Sequence, residues 1–462
     1  MKTVYMCVLA TSSILLSVLT HAQLVSGVVV NNVGSPIENA LVSRSDDPYV
    51  FAKTDDNGEF SIPGDIGQSL HVAALHFETN RFVPVSTTTN LLVVLQDDSK
   101  LVSDVFHINF DHLRPGAGYT KEELKTDFPV GYGKGVYQNG NAYTDRTTVD
   151  PTMSVDGSGS SLKVKFPAGE LKTEYSGIDT RIPLAGKFND NTFAEDEIYL
   201  SYWIKFSDNF DFSKCGGKLP SLGGSVAFER EKEWKGRIMW RNGGSIQFYM
   251  ELPHDGDGIE HDSLRFWGDL GATNGFICTN EFTSYLTTGV WHNIELHYKM
   301  ETPGQNDGLF EGWIDGSNGH KIISSEVFGL YRKPGEGMDN LTTNAILLSA
   351  FLGGSSIDYE MDEDVYAWFD EFRVSTERIN SYDEIMAVTK ANELSPASTS
   401  ITAYPNPSEN GIFNLNKAQR WQVFLPNGQE IEQGLGKVVD ISSYGFGVYY
   451  LKTEDHTLQL VR

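Results

Sequence analysis

Cysteine is scarce in this chain, with three in 462 residues. Cys7 lies in the apolar leader, which leaves Cys215 and Cys278, too few for a cysteine zinc site or a redox framework. Positive charge is also short: Lys and Arg total 36 against 62 Asp and Glu, a formal net charge of −26. That balance excludes the basic footprint a nucleic-acid binder needs and favours a soluble monomer. Only one long apolar run exists, so a multi-pass membrane protein is excluded. No phosphate loop, no G-x-G-x-x-G after a strand and no H-E-x-x-H occurs, which removes the usual support for nucleotide and zinc-protease chemistry. Helical periodicity is rare, Tyr382 to Ala391 being the best short stretch.

What is present starts with the leader. Met1-Lys2, the apolar core from Met6 to Leu19 and the small residues around Thr20-His21-Ala22 have the form of a secretory signal peptide over residues 1–22. The mature chain then begins at Gln23 with no further membrane-spanning segment, and Cys215 and Cys278 enter an oxidising compartment. There they are a candidate disulfide, with two buried free thiols as the open alternative. Glycine (45), Phe (26), Tyr (20) and Trp (8) point to strands and tight turns. Ile198, Leu200, Tyr202, Ile204 and Phe206 keep strict period two. Similar patterning recurs at Ser161–Phe166, Ile246–Leu252, Trp291–Met300, Ala345–Leu352 and Tyr366–Val374. Many short strands with glycine-rich turns predict an all-β jelly roll or sandwich over residues 104–380.

Two flanking segments carry patterns of their own. Ser26-Gly27-Val28, Pro36-Ile37-Glu38-Asn39-Ala40 and Thr54-Asp55 through Gly58-Glu59-Phe60 resemble the carboxypeptidase regulatory-like β-sandwich, over 23–97. After a short helix and a Ser/Thr/Pro-rich linker at 381–400 come Tyr404-Pro405-Asn406-Pro407-Ser408, Asn427-Gly428 between strand-like runs, and Gly447-Val448-Tyr449-Tyr450-Leu451-Lys452. Residues 401–462 thereby resemble a type IX secretion sorting domain. This resemblance implies passage through the periplasm, recognition by the type IX machinery, and release or display at the cell surface. The fold expected is a β-jelly-roll catalytic domain flanked by two small β-sandwich domains.

The central block is the most informative. Tyr202-Trp203-Ile204-Lys205-Phe206, Gly216-Gly217-Lys218-Leu219-Pro220, Gly236-Arg237-Ile238-Met239-Trp240-Arg241 and the run Ser245–Leu252 occur in order. Trp313-Ile314-Asp315-Gly316, Phe351-Leu352-Gly353-Gly354 and Trp368-Phe369-Asp370-Glu371-Phe372 follow. Together they resemble polysaccharide lyase family 14, which implies β-elimination on a uronic-acid polysaccharide such as alginate, glucuronan or ulvan. By that resemblance Lys218 is the catalytic lysine, Arg237 the carboxylate-binding residue and Tyr249, twelve residues on, the catalytic tyrosine.

The residues themselves suit that chemistry. Elimination needs the carboxylate beside the acidic carbon neutralised, a base for that carbon's proton and an acid for the leaving oxygen. Arg, Lys and Tyr can supply these without a cofactor. Lys214 to Arg241 holds seven basic residues against three acidic ones, a local positive patch on an acidic chain. Lys218 is expected in a constrained, turn-like setting beside Gly217 and Pro220. Gln247, Tyr249 and Glu251 share one face of their strand, and with Arg241 and Lys235 they join the candidate substrate-binding set. Two positions depart from the family pattern. Lys235 stands where a small hydroxyl residue is usual, and Glu251 where a second tyrosine is usual; a carboxylate there would repel a uniform polyuronate.

Further candidates are weaker. His297 shares a strand face with Asn293, Glu295 and Lys299, joins the candidate substrate-binding set and offers a second catalytic route, whereas His292 alternates with apolar residues. His254 and His261 flank Asp255-Gly256-Asp257-Gly258, which suggests a structural calcium ion but lacks the later glutamate of an EF-hand. Two other readings of the domain stay open: a non-catalytic polysaccharide-binding or adhesin protein, and a glycoside hydrolase. The latter requires two carboxylates across a cleft, with Glu251, Glu295 and Glu371 as the available groups.

Overall fold

The computed structural model describes residues 23–99, 106–127, 146–157, 159–184, 195–225, 233–251, 264–267, 286–303, 305, 307–316, 320–326, 342–354, 356–386, 403–404, 406, 408, 410–425, 429–453 and 457–462. The chain is nearly all β, as its period-two patterning predicts.

The first segment forms two small sheets. In one, β1 (Leu24–Asn31) lies between β4 (Glu59–Pro63), to which it is antiparallel, and β7 (Leu91–Leu95), to which it is parallel. The other orders β3 (Phe51–Lys53), β2 (Leu41–Arg44), β5 (Ser69–Ala73) and β6 (Asn80–Pro84). Val25, Val29, Ile62, Val72, Val93 and Leu95 fill the space between them. Buried Thr54 ties the turn to the sheet, donating to Ile37 O (2.6 Å) and accepting from Ala40 N (2.8 Å).

The central domain is a sandwich of two sheets. The larger runs β19 (His320–Glu326), β18 (Leu309–Ile314), β17 (Trp291–Lys299), β12 (Glu197–Phe206), β21 (Val365–Ser375), β10 (Ser161–Phe166) and β9 (Thr147–Asp150), with β8 (Phe106–Ile108) also paired to β21. The smaller orders β11 (Ile178–Pro183), β20 (Ala345–Leu352), β13 (Gly217–Ser225), β14 (Glu233–Trp240), β15 (Ile246–Glu251) and β16 (Leu264–Trp267). Strand alternation sends Leu200, Tyr202, Ile204 and Phe206 inward from the larger sheet. Leu222, Ile238, Trp240, Ile346 and Leu348 meet them from the smaller. Phe166 meets Trp240 edge-on at 5.8 Å. Each such side chain, fully buried, is worth roughly 1.5–3 kcal/mol.

Among the described residues α-helix is confined to short pieces: α1 (Lys121–Asp127), α2 (Lys172–Tyr175) and residues 381–386, where the Tyr382–Ala391 periodicity begins. A reciprocal cap opens α1, with Thr120 N donating to Glu123 Oε2 (2.7 Å) and Glu123 N donating to Thr120 Oγ1 (3.2 Å). The first segment and the central domain belong to one compact unit, 1–385. Thr79 Oγ1 donates across it to Asp111 Oδ2 (2.9 Å), and the His107 ring sits between Asp98 and Glu371.

Residues 386–462 form a separate unit. Its antiparallel sheet comprises β22 (Ala403–Tyr404), β23 (Ile412–Phe424), β24 (Glu430–Asp440), β25 (Val448–Lys452) and β26 (Thr457–Val461). Phe413, Leu415, Val423, Val439, Leu451 and Leu460 make its core. Strands β23 and β24 pair across the Asn427-Gly428 hairpin expected from sequence; the two turn residues lie outside the described residues.

Candidate active site

The outer face of the smaller sheet gathers the residues singled out by sequence. Lys218 in β13 is opposite Met239 in β14, and Met239 is opposite Gln247 in β15. One row along, Arg237 in β14 is opposite Tyr249 in β15, and Tyr249 is opposite Arg265 in β16. The next row pairs Lys235 with Glu251. Residues directly opposite share a face, so Lys218, Arg237, Tyr249, Lys235, Gln247 and Glu251 all lie on the side away from the core. With strands about 4.8 Å apart and about 3.4 Å per residue, the Lys218 and Tyr249 backbones stand roughly 12 Å apart. Long side chains can close that span over one sugar ring.

Lys218 departs from its expected turn-like setting. Gly217–Ser225 is a strand inside the sheet, bonded on both sides. Glycine is needed at 217 for closeness rather than for a turn, since a Cβ there would run into Phe351 O and the Trp240 ring. The irregularity appears one step later, where pairing shifts between Leu219 and Leu222 around Pro220, which has no N–H to give the ladder. That shift changes parity, so Ser221 and Gly223 continue the face that Lys218 begins. Lys218 Nζ lies 2.6 Å from Met239 Sδ.

Arg237 is held by neighbours on its own face. Its Nη1 donates to Ser349 Oγ (2.8 Å) in β20, and Ser349 donates in turn to Asp179 Oδ1 (2.6 Å) in β11. The Asp179 carboxylate is 3.6 Å from the guanidinium, and Arg237 as a residue is only 8% exposed. Arg241 is committed to structure: its Nε donates to Gln247 Oε1 (2.6 Å) and its Nη1 to Cys215 O (3.1 Å). Gln247 is therefore on the expected face but buried rather than open. By register Asp179, Ser349, Arg265 and Trp267 also belong to this face, and no motif in the sequence marks them. Strand register places them there: Asp179 and Ser349 come from distant parts of the chain, Arg265 and Trp267 from the strand that follows β15.

His297 is not brought to this face and has to be corrected. It lies in β17 of the larger sheet, stacked on Tyr199 at 4.1 Å, with Nδ1 and Nε2 each 2.9 Å from the carboxylates of Glu311 and Glu197. Period two correctly put it on an outward face, but it carries no information about which sheet a strand joins. Glu295 and Glu371 are likewise in the larger sheet. Glu295 accepts the Ile379 and Asn380 N–H groups (2.9 and 3.1 Å), and burial raises its pKa. Glu371 Oε2 is 3.0 Å from His107 Nε2. Neither faces Glu251 across a cleft, so the pairing that a glycosidase needs is not assembled from these groups. His292 is buried, with Nδ1 2.9 Å from Asp315 Oδ2. His254, His261 and the Asp255–Gly258 loop lie outside the described residues, and no group suited to a metal ion occurs among the described ones. Cys215 is disulfide-bonded, and Cys278 lies outside the described residues.

Residues 154–372 match the family model Polysaccharide lyase 14. The central domain is a polysaccharide lyase. The matched range contains the whole lysine, arginine and tyrosine face of this lyase domain. A comparison with curated proteins finds no match. Among solved structures, the chain is similar to an alginate lyase from Aplysia kurodai, at 19% identity over 60% of this chain and 100% of that one, TM-score 0.42. It is also similar to an alginate lyase from Chlorella virus (18% identity, 56% and 91%, TM-score 0.37). A glucuronan lyase from the fungus Trichoderma reesei is more distant (12%, 60% and 98%, 0.36). Likenesses this remote say nothing of this lyase's own substrate.

Proposed function

We propose that the chain is a secreted lyase that cleaves a uronic-acid-containing polysaccharide, of the alginate, glucuronan or ulvan type, by β-elimination on the outer face of the smaller sheet. The observation that carries this reading is the adjacency of Lys218, Arg237 and Tyr249 on three neighbouring strands of one face, within a domain matched to a lyase family.

Arg237 receives the uronate carboxylate and stabilises the charge that develops on it as the neighbouring carbon loses its proton. Lys218 takes that proton, the electron pair becomes the new carbon–carbon double bond, and the bond to the glycosidic oxygen breaks. Tyr249 gives its proton to the departing oxygen. Ser349 and Asp179 fix the guanidinium so that little orientation is left to be lost on binding.

The two departures from the family pattern support the same reading when taken together. Lys235 and Glu251 are direct cross-strand neighbours, and opposite charges so placed offset each other. The repulsion that Glu251 alone would exert on a polyuronate is thereby reduced. Export rests on the signal-like residues 1–22 and on the resemblance of 401–462 to a type IX sorting domain.

The test is digestion of a panel of acidic algal polysaccharides by the purified chain. Ultraviolet absorbance from the conjugated double bond is expected to rise in step with new reducing ends. Reducing ends alone would indicate hydrolysis, and neither signal would indicate a binding protein.

A further inference from the structure

The larger sheet has an outer face of its own, on the opposite side of the sandwich from Lys218. Register sets Lys163 in β10 opposite Trp368 in β21, Trp368 opposite Lys205 in β12, and Lys205 opposite Trp291 in β17. One row across four strands thus reads Lys, Trp, Lys, Trp, and the next row pairs Lys165 with Tyr366. The alternating neighbours Val164, Ile204 and Phe369 are buried in the core, whereas Lys163, Lys165, Lys205, Trp291 and Tyr366 keep part of their surface in solvent.

The side chains are ordered by one another. Lys163 Nζ lies 4.3 Å from the Tyr366 ring centre and 5.3 Å from that of Trp368. The Trp368 indole N–H donates to Asp150 Oδ2 (2.8 Å), which fixes the ring, and Lys163 stands 3.9 Å from the same carboxylate. Lys165 pairs with Asp364 (2.5 Å), and Lys205 Nζ is 3.5 Å from Met153 Sδ. On a chain of net charge −26, Lys163, Lys165 and Lys205 stand among aromatic rings beside two carboxylates, Asp150 and Asp364, which leaves a small local excess of positive charge. The combination suits a ligand that has both apolar ring faces and regularly spaced negative charge.

We propose that this row is a second, non-catalytic binding site for a polyuronate chain. The partly exposed Trp291 and Tyr366 rings stack on sugar faces and Lys163 and Lys205 meet carboxylates, while buried Trp368 supports the row from within. The choice of ligand rests on the substrate class proposed above. Bound here, a polymer is retained near the enzyme while another stretch of it is cut on the far side.

Affinity electrophoresis of the full chain through gels containing alginate tests this, with Lys218→Ala as background so that the polymer is not degraded. Lys163→Ala with Lys205→Ala is expected to cut the alginate-dependent retardation several-fold, and Lys163→Arg with Lys205→Arg to retain it. In the otherwise unaltered enzyme the alanine pair should raise KM for the polymer and leave turnover of a short uronate oligosaccharide unchanged. Retardation that is absent throughout, or equal with and without the two lysines, overturns the proposal. Loss of retardation in the alanine pair, in a protein whose unaltered form makes no ultraviolet-absorbing product, keeps this site and overturns the catalytic reading instead.

Discussion

Asp370 is a carboxyl almost without water, 3% exposed, its oxygens accepting the N–H groups of Glu371 (2.8 Å) and Val155 (3.0 Å). Burial pushes its pKa well up, and the nearby charges of Glu371 and Asp111 push the same way. The folded state thus binds this proton more tightly than the unfolded state does. The stability it contributes is fully present below the ordinary carboxylate range and is lost as pH rises through the folded value. Asp370→Asn cannot ionise, so its unfolding free energy should fall less between acidic and neutral pH than that of the unaltered protein. A constant offset of about 1 kcal/mol for one weakened hydrogen bond would accompany this. Denaturant titrations across that pH range measure the slope, and an unchanged slope in a folded variant contradicts the assignment. None of this was legible in sequence: Asp370 stood in a recognised motif, but its isolation from water comes from the packing of distant segments.

Strands were legible wherever alternation was clean, as in Ile198–Phe206, since a half-buried strand imposes period two on its side chains. Element type failed at Gly217–Pro220, where glycine and proline suggest a turn but serve close packing and a pairing shift within β13. Sheet membership failed for His297 because alternation specifies a face and not a partner. The segment before β13 is tied down at Cys215. Cys215 is disulfide-bonded, and its carbonyl accepts from Arg241 Nη1 (3.1 Å), three residues ahead of Lys218. Cys215→Ser should therefore destabilise the lyase domain by roughly 2–4 kcal/mol, measured by denaturant unfolding without reductant. Equal stability of the two proteins would show that this bond does not constrain the domain.

At the scale of the whole molecule, the strand-rich pattern was legible, while the composition of the catalytic face was legible only in part. Lys218, Arg237 and Tyr249 lie within 32 residues of sequence, whereas Asp179 and Ser349 reach the same face only through the order of strands in the sheet. Residues 386–462 form a unit with its own core, and we read 401–462 as an export signal. Deleting 401–462 should leave turnover intact and hold the protein in the periplasm of its native host. Appearance of the truncated chain in the medium or on the cell surface would refute that role. The central claim concerns the lysine on the smaller sheet, and the most direct measurement is ultraviolet-detected turnover of a polyuronate by Lys218→Ala. A positioned base contributes about 10²–10⁴-fold, so product formation should fall by that factor while circular dichroism and thermal unfolding stay those of the unaltered chain. Undiminished ultraviolet-active turnover in the folded Lys218→Ala protein would contradict the account.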